Sequence, residues 1–350
     1  MPTLYVVTGA GPVGWTVAEQ LAEQGHEVRV LTRSGSGPEH ARIERRRTDV
    51  SDPAQLGGAF AGAAAVFHCI HGSAYSAKAW RAELPRAEQA VMDAAAAAGA
   101  VVVFPESLYS YSEPDGPITE SSPRDASGGK RGVRTELLRA RQAHRADTVS
   151  VVAGDFFGPR VLMAHAGERL VPRVLEGKAV QAMGSAAQPH SFTYVPDLAA
   201  AMIRAAQLPE LRNQVLHAPS NAPLTMRELA TVLASAAGKP APRVGAIPGW
   251  VVRGLGLFSA DMRELAEMLY QFERPFVMDS SASQAKLGLE PTPLAEAAAA
   301  TVGWWLSGNR RACPSRQQMS LEGSKRHQML LSRAGFDGGW SPVTRRPVRE

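Results

Sequence analysis

Seven residues near the start of the chain, Thr8-Gly9-Ala10-Gly11-Pro12-Val13-Gly14, restrict its fold more than any other feature. They follow an almost wholly apolar run, Leu4 to Thr8, which reads as a strand buried on both faces. They open an amphipathic stretch, Val13 to Gln24, and a second β-prone run, Glu27 to Leu31, comes next. In such a strand, turn and helix each glycine has a task. Gly9 permits the tight turn, Gly11 lets a pyrophosphate approach the backbone, and Gly14 lets helix and strand pack closely. The helix opening at Pro12 and Val13 turns unpaired N–H groups and a positive dipole end toward the phosphates. A dinucleotide cofactor is the expected ligand.

The rest of the first half keeps the same rhythm. Strands are expected at 43–47, 65–68, 101–104 and 149–153, and helices at 53–59, 77–98 and 131–144. This alternation specifies an α/β fold with a doubly wound parallel sheet, the Rossmann arrangement. After about residue 155 the loops lengthen and Pro and Gly become frequent, which predicts a smaller C-terminal substrate lobe. Surface helices are expected over 225–237, with Thr225 as N-cap and Glu228 three residues on, and over 259–270, before a last Ala-rich helix at 294–306. The expected division is residues 1–155 for the nucleotide-binding domain, 156–307 for a lobe partly interleaved with it, and 308–350 for a tail.

At the end of the second strand, where an NAD-selective chain places an acidic residue for the ribose hydroxyls, this one carries Arg33 and Ser34. A guanidinium beside a hydroxyl suits a 2′-phosphate, so NADP is the expected cofactor, with NAD the other candidate. Asp49 and Val50 follow the third strand, where a short polar side chain meets the adenine, and His68 ends the fourth, beside the expected cofactor path.

The formal charge of +5 suggests a nucleic-acid surface until it is located. Residues 308 to 350 hold nine basic and three acidic residues, so the body is close to neutral; the tail is expected to be a solvated, poorly ordered extension, and no nucleic-acid partner is expected. No apolar run reaches the roughly 18 residues needed to cross a bilayer, and no basic leader precedes Leu4; a cytoplasmic protein without membrane contact is expected. Cys69 and Cys313 stand alone, with no partner at metal-ligand spacing, so no metal site is expected.

Several motifs together resemble the NAD-dependent epimerase/dehydratase family, within the extended and atypical short-chain dehydrogenases/reductases. Over roughly residues 3 to 306 they are the glycine turn; Asp49-Val50-Ser51-Asp52; Pro105 to Tyr111 with Gly116 to Glu120; Asp155-Phe156-Phe157-Gly158-Pro159; and His190 to Asp197. The resemblance implies a nicotinamide-dependent reaction in which a tyrosine, with a lysine four residues on, moves a proton while hydride moves at the cofactor. It also implies an upstream hydroxyl that polarises the substrate, matched here by Ser107, four residues before Tyr111.

The tyrosine–lysine pair is missing. Four residues after Tyr5, Tyr75, Tyr109, Tyr111, Tyr194 and Tyr270 stand Gly9, Ala79, Glu113, Asp115, Leu198 and Arg274. Aligning the family's helix glutamate on Glu136 puts Gly128 and Gly132 at the two positions, with Lys130 or Arg134 as substitute cations. Three readings stay open: a reductase or epimerase acting on a small carbonyl or hydroxyl compound, its proton drawn from Ser107, Tyr109, Tyr111 or water; an enzyme that works by substrate orientation; and a non-catalytic NADP-binding sensor. Tyr75 and Trp80 line either a pocket or the core. His190 with Asp197 forms either an acid/base pair or lobe-to-lobe contacts, and His165 is a further proton-donor candidate. The helices at 77–98 and 131–144 resemble those that pair across a dimer in this superfamily, so a homodimer is an expected partner state.

Overall fold

The computed structural model describes residues 2–112 and 116–308. Among them, strands run β1 (Leu4–Thr8), β2 (Glu27–Thr32), β3 (Ile43–Arg47), β4 (Ala63–His68), β5 (Val101–Ser107), β6 (Thr148–Ala153), β7 (Asp155–Phe157), β8 (Val180–Met183), β9 (Phe192–Tyr194), β10 (Gln214–His217) and β11 (Val244–Ile247). Helices are α1 (Pro12–Glu23), α2 (Gly57–Phe60), α3 (Ala77–Ala98), α4 (Gly129–Ala143), α5 (Val171–Leu175), α6 (Val195–Gln207), α7 (Met226–Ala236), α8 (Gly249–Gly256), α9 (Ala260–Ala266), α10 (Tyr270–Glu273), α11 (Ser281–Leu287) and α12 (Leu294–Leu306).

Seven strands form one parallel sheet in the order β10-β6-β5-β4-β1-β2-β3. The strand order reverses between β1 and β4, and in doubly wound sheets ligands bind in the crevice outside the carboxyl ends of the strands at that point. The apolar run of β1 is explained by its two neighbouring layers. Tyr5 and Val7 join Val17, Leu21, Met202 and Ile203 under the sheet, whereas Val6 joins Leu56, Phe60, Val91 and Phe104 on the opposite face. A polar residue on either face would be desolvated without a partner. The edge strand β3 has the sequence Ile-Glu-Arg-Arg-Arg, and its Glu44 pairs with Arg29 and Arg46. Charge on an edge strand discourages pairing with another chain.

The segment after residue 155 crosses between layers. Helix α6 packs against α1, and β10 returns to the main sheet beside β6. The remaining C-terminal elements enclose a second core of Phe157, Leu170, Val174, Leu229, Leu233 and Trp305. Thr225 caps α7 by accepting from the Glu228 N–H while the Glu228 side chain returns to the Thr225 backbone, the reciprocal cap expected from this pair. Two expected helices are shorter than their patterns. The stretch 53–59 is a tight turn followed by the single-turn α2, where Gly57 and Gly58 weaken propagation. The stretch 259–270 divides, with α9 ending at Ala266 and α10 beginning at Tyr270. No helix among the described residues is long and apolar enough to cross a membrane, and no cluster of metal-ligating side chains occurs among them. The basic tail and Cys313 lie, from residue 309 on, outside the described residues.

Candidate active site

The crevice between β1 and β4 is walled by the glycine turn. Gly9 has φ +89°, and a Cβ there would stand 2.8 Å from the Cys69 carbonyl oxygen. A Cβ on Gly14 would stand 2.1 Å from the Gly9 oxygen, so α1 leaves the strand at a distance only glycine allows. Gly11 differs: its Cβ would meet nothing within 4 Å, which leaves the backbone open to an approaching group. Gly11 is also the N-cap of α1, with no side-chain acceptor on the first-turn donors and Pro12 in the first turn. Val13 is buried beneath this turn. The cradle fits a pyrophosphate, since bare N–H groups and the helix dipole face open space.

Arg33 and Ser34 are exposed past β2, and Ser34 exchanges a hydroxyl hydrogen bond of 2.7 Å with Ser36. Arg33 makes no ion pair within 4.0 Å among the described residues, yet its charge helps hold the Asp49 carboxyl below its usual range, after the larger effect of the Ser51 hydrogen bonds. Asp49 is therefore an exposed anion on the rim beside Arg33. Val50 is turned inward against Leu31 and Leu56. His68 is also turned inward, with Nδ1 2.8 Å from the Thr8 hydroxyl and its ring against Phe104. Its Nε2 is buried without a hydrogen-bond partner. Burial, then the charges of Arg141 and Arg134, lowers His68 to about 3.

That neutral imidazole makes the fold acid-labile. The folded value lies below the ordinary 6.5, so the unfolded chain takes up the proton first. The stabilisation is complete above pH 6.5 and declines as pH falls toward 3, at about 1.4 kcal/mol per unit. Urea unfolding at pH 7 and pH 4.5 is therefore expected to show a loss about 3 kcal/mol smaller in His68→Gln than in the unaltered chain. Equal losses would refute it.

The three residues singled out after β5 do not converge. Ser107 ends β5, and both its N–H and its hydroxyl donate to Glu106 Oε1, at 2.8 and 3.3 Å. Glu106 is held in turn by Arg141, which also binds Glu88 through two nitrogens, all out of contact with water. Tyr109 lies parallel to Trp80, and its hydroxyl is 2.8 Å from that of Tyr75. Burial raises the Tyr109 phenol above its ordinary range. Tyr111 turns the other way, into a core with Ile118, Phe276 and Met278, where its hydroxyl meets His217 Nε2 at 2.8 Å. Burial raises it to about 12.

At the two positions expected for the tyrosine and lysine from the alignment on Glu136, Gly128 caps α4 and Gly132 lies in its first turn. Lys130 between them is wholly buried, and its Nζ donates to the Glu264 carbonyl at 2.6 Å, to Glu264 Oε2 at 2.6 Å and to Glu267 Oε2 at 2.9 Å. The same Nζ lies 4.7 Å from the centre of the Tyr75 ring. Glu267 also accepts the Lys130 N–H, and Glu264 accepts that of Ala77. A Cβ on Gly129 would collide with Glu267, which ties this glycine to the contact. Sequence reasoning missed both glutamates, since nothing local links residues more than 130 positions apart.

The pairing of His190 with Asp197 is overturned. Asp197 accepts from the Thr292 N–H at 2.9 Å and its hydroxyl at 2.5 Å, fastening α6 to the segment before α12. His190 instead meets Asp155, with Nε2 3.1 Å from Oδ2, and its Nδ1 is 3.1 Å from the Gln271 carbonyl. The parallel pairing of β7 with β9, which aligns Asp155 with Phe192, makes this contact. His165 packs against Phe272 and is lowered to about 4, first by burial.

The model of the NAD dependent epimerase/dehydratase family matches residues 5–216, more than half of the chain. The chain belongs to this family. Among solved structures, the Bordetella bronchiseptica enzyme WbmH in complex with NAD+ is similar at 19% identity, covering 88% of this chain and 99% of that one, with a TM-score of 0.69. UDP-glucose 4-epimerase of Thermotoga maritima, solved with UDP-glucose, is similar at 19% identity over 87% and 99%, TM-score 0.69. UDP-glucuronic acid 4-epimerase of Bacillus cereus, in complex with NAD, is similar at 17% over 87% and 99%, TM-score 0.68. At these identities the likeness is one of fold. No curated protein sequence matches this family member.

Proposed function

We propose that this family member is an NADP-preferring oxidoreductase or epimerase-like enzyme acting on a small carbonyl or hydroxyl compound. The observation that carries the reading is the cradle at the strand-order reversal, where Gly11 leaves open backbone at the head of α1. The NAD complexes of WbmH and of the B. cereus epimerase support a nicotinamide nucleotide in that crevice. Gly9, Gly11 and the first turn of α1 would hold its pyrophosphate, and Arg33 with Ser34 would meet a 2′-phosphate. When bound, the nicotinamide supplies or accepts hydride.

The chain's own residues orient the substrate and handle the proton. Ser107 hydrogen-bonds the substrate oxygen, its position set by Glu106 and, behind it, Arg141. Tyr109 with Tyr75 forms a hydroxyl pair on the same loops, within the electrostatic reach of Asp155. Tyr111 positions the loop after β5 through His217. A second reading, a non-catalytic NADP sensor, is favoured by the absence of the tyrosine–lysine pair and by the full engagement of Lys130 with glutamates.

Two measurements test the assignment. Calorimetry is expected to find NADPH bound more tightly than NADH, and Arg33→Ala is expected to weaken NADPH about tenfold while leaving NADH nearly unchanged. Equal losses would remove the guanidinium from the 2′-phosphate. NADPH oxidation over a panel of small aldehydes and ketones is expected to give turnover that falls about a hundredfold in Ser107→Ala; tight binding without turnover anywhere on the panel would select the sensor.

A further inference from the structure

The family reaction needs a proton source, and the usual one is missing here. Asp155 and His190 meet close to where such a source has to be. Asp155 lies two residues past Ala153, which faces Ser107 across the β5–β6 pairing. Asp155 therefore follows the carboxyl end of β6, the strand beside Ser107, and its charge reaches the phenols of Tyr109 and Tyr75.

The protonation of the pair follows from its partners. A carbonyl oxygen only accepts, so His190 Nδ1, 3.1 Å from the Gln271 oxygen, carries a hydrogen. A neutral imidazole would then face the Asp155 carboxylate with the Nε2 lone pair, 3.1 Å from Oδ2, inside a shell of Phe192, Phe272 and Phe276 rings. Two lone pairs at that distance in apolar surroundings repel. One additional proton between Nε2 and Oδ2 removes the repulsion. The contact is off the axis of a good hydrogen bond, and Oδ2 has no hydrogen-bond donor among the described residues although it is shielded from water.

We infer that His190 and Asp155 hold this proton as an imidazolium–carboxylate pair and that it is the one delivered to the substrate oxygen. The inference rests on the hydride-transfer reading above. In the reducing direction, with a nicotinamide bound to supply hydride to the carbonyl carbon, the substrate oxygen would gain an electron pair. That oxygen forms its O–H bond with the pair's proton, directly or through the Tyr109 and Tyr75 hydroxyls; the Nε2–H bond breaks, and solvent restores the proton. A small cleft lined by His165, Ser185, Gln188, Met226 and Gln271 also borders His190. The groups facing the pair are His165 after β7, Tyr75 and Tyr109 from the loops after β4 and β5, and, one step removed, Arg169 facing His165 and Tyr270 and Arg134 facing Tyr109. Burial raises the Asp155 carboxyl and His190 opposes this, with the net result below the usual range. His190 is thus a proton-holding residue that acts through Asp155, while the atom that touches substrate belongs to Asp155 or a tyrosine.

The test has one arm without turnover. In ¹⁵N-histidine-labelled protein free of cofactor, His190 is expected to carry protons on both ring nitrogens at pH 7, and on one in Asp155→Asn. A single protonated nitrogen in the unaltered protein overturns the inference, and that spectrum decides even where a variant fails to fold. In the second arm, Asp155→Asn and His190→Gln are expected to keep NADPH affinity by calorimetry while single-turnover oxidation of NADPH slows at least a hundredfold, the size of general acid catalysis. Unchanged turnover and pH profile in both variants overturn the delivery step. Loss of NADPH binding by the unaltered protein would sink the functional reading and the delivery step with it, while the spectrum would still decide the protonation of the pair.

Discussion

Gly14→Val is expected to abolish nicotinamide nucleotide binding and to lower the stability of the fold by about 3 kcal/mol or more. The smallest side chain already places its Cβ 2.1 Å from the Gly9 carbonyl oxygen and 3.1 Å from the Cys69 Cβ. Both belong to the crevice wall, and backbone cannot rotate aside as a flexible side chain does. Overpacking of a buried site costs about 1–3 kcal/mol when side chains absorb it, and more when the backbone must move. Helix α1 would have to shift away from β1, carrying the open N–H groups at Gly11 off their aim. Gly11→Ala is the contrasting case, because its Cβ meets nothing within 4 Å. This variant is expected to fold as the unaltered chain does and to lose at least tenfold in nucleotide affinity, since the methyl occupies the approach to the backbone. Thermal unfolding with calorimetry separates the two, and a Gly14→Val protein with full stability and affinity would show that the turn does not set the helix.

Lys130→Met is expected to cost about 3–5 kcal/mol, the range for stripping one partner from a buried ion pair. The ammonium is wholly buried and gives its three hydrogens to the Glu264 carbonyl and to the carboxylates of Glu264 and Glu267. Methionine nearly matches its volume but leaves two carboxylates facing each other with no cation between them. The loss is expected to be local at first. Amides held by these carboxylates, those of Ala77 at the head of α3 and Lys130 at the head of α4, should exchange faster by hydrogen exchange. Adding Glu264→Gln and Glu267→Gln to Lys130→Met is expected to recover much of the stability by removing the repulsion. A single variant as stable as the parent would mean the cluster contributes nothing beyond an apolar contact.

Much of this protein was legible in the residues because the relevant physics is local. A strand buried on both faces has to be apolar along its length, and the Leu4 to Thr8 run is. Thr225 with Glu228 forms its reciprocal cap from four consecutive positions, and the glycine spacing after Thr8 fits a turn that tolerates no Cβ at Gly14. The parallel sheet follows from the alternation of such segments, and the family match over residues 5–216 agrees with it.

The candidate site was less legible because its contacts are long-range. Asp155 and His190 are brought together by the pairing of β7 with β9, and no periodicity in either segment announces that register. Lys130 meets Glu264 and Glu267 only because the segment around α9 folds back over the head of α4. The orientation of Tyr111, away from Ser107 and Tyr109 and onto His217, depends on a core assembled from Ile118, Phe276 and Met278. The sequence by itself determined the sheet, the glycine turn and the chemical groups on hand, since those depend on neighbours along the chain. Only the tertiary structure decided which of those groups face one another, because that depends on packing between residues that the sequence keeps far apart.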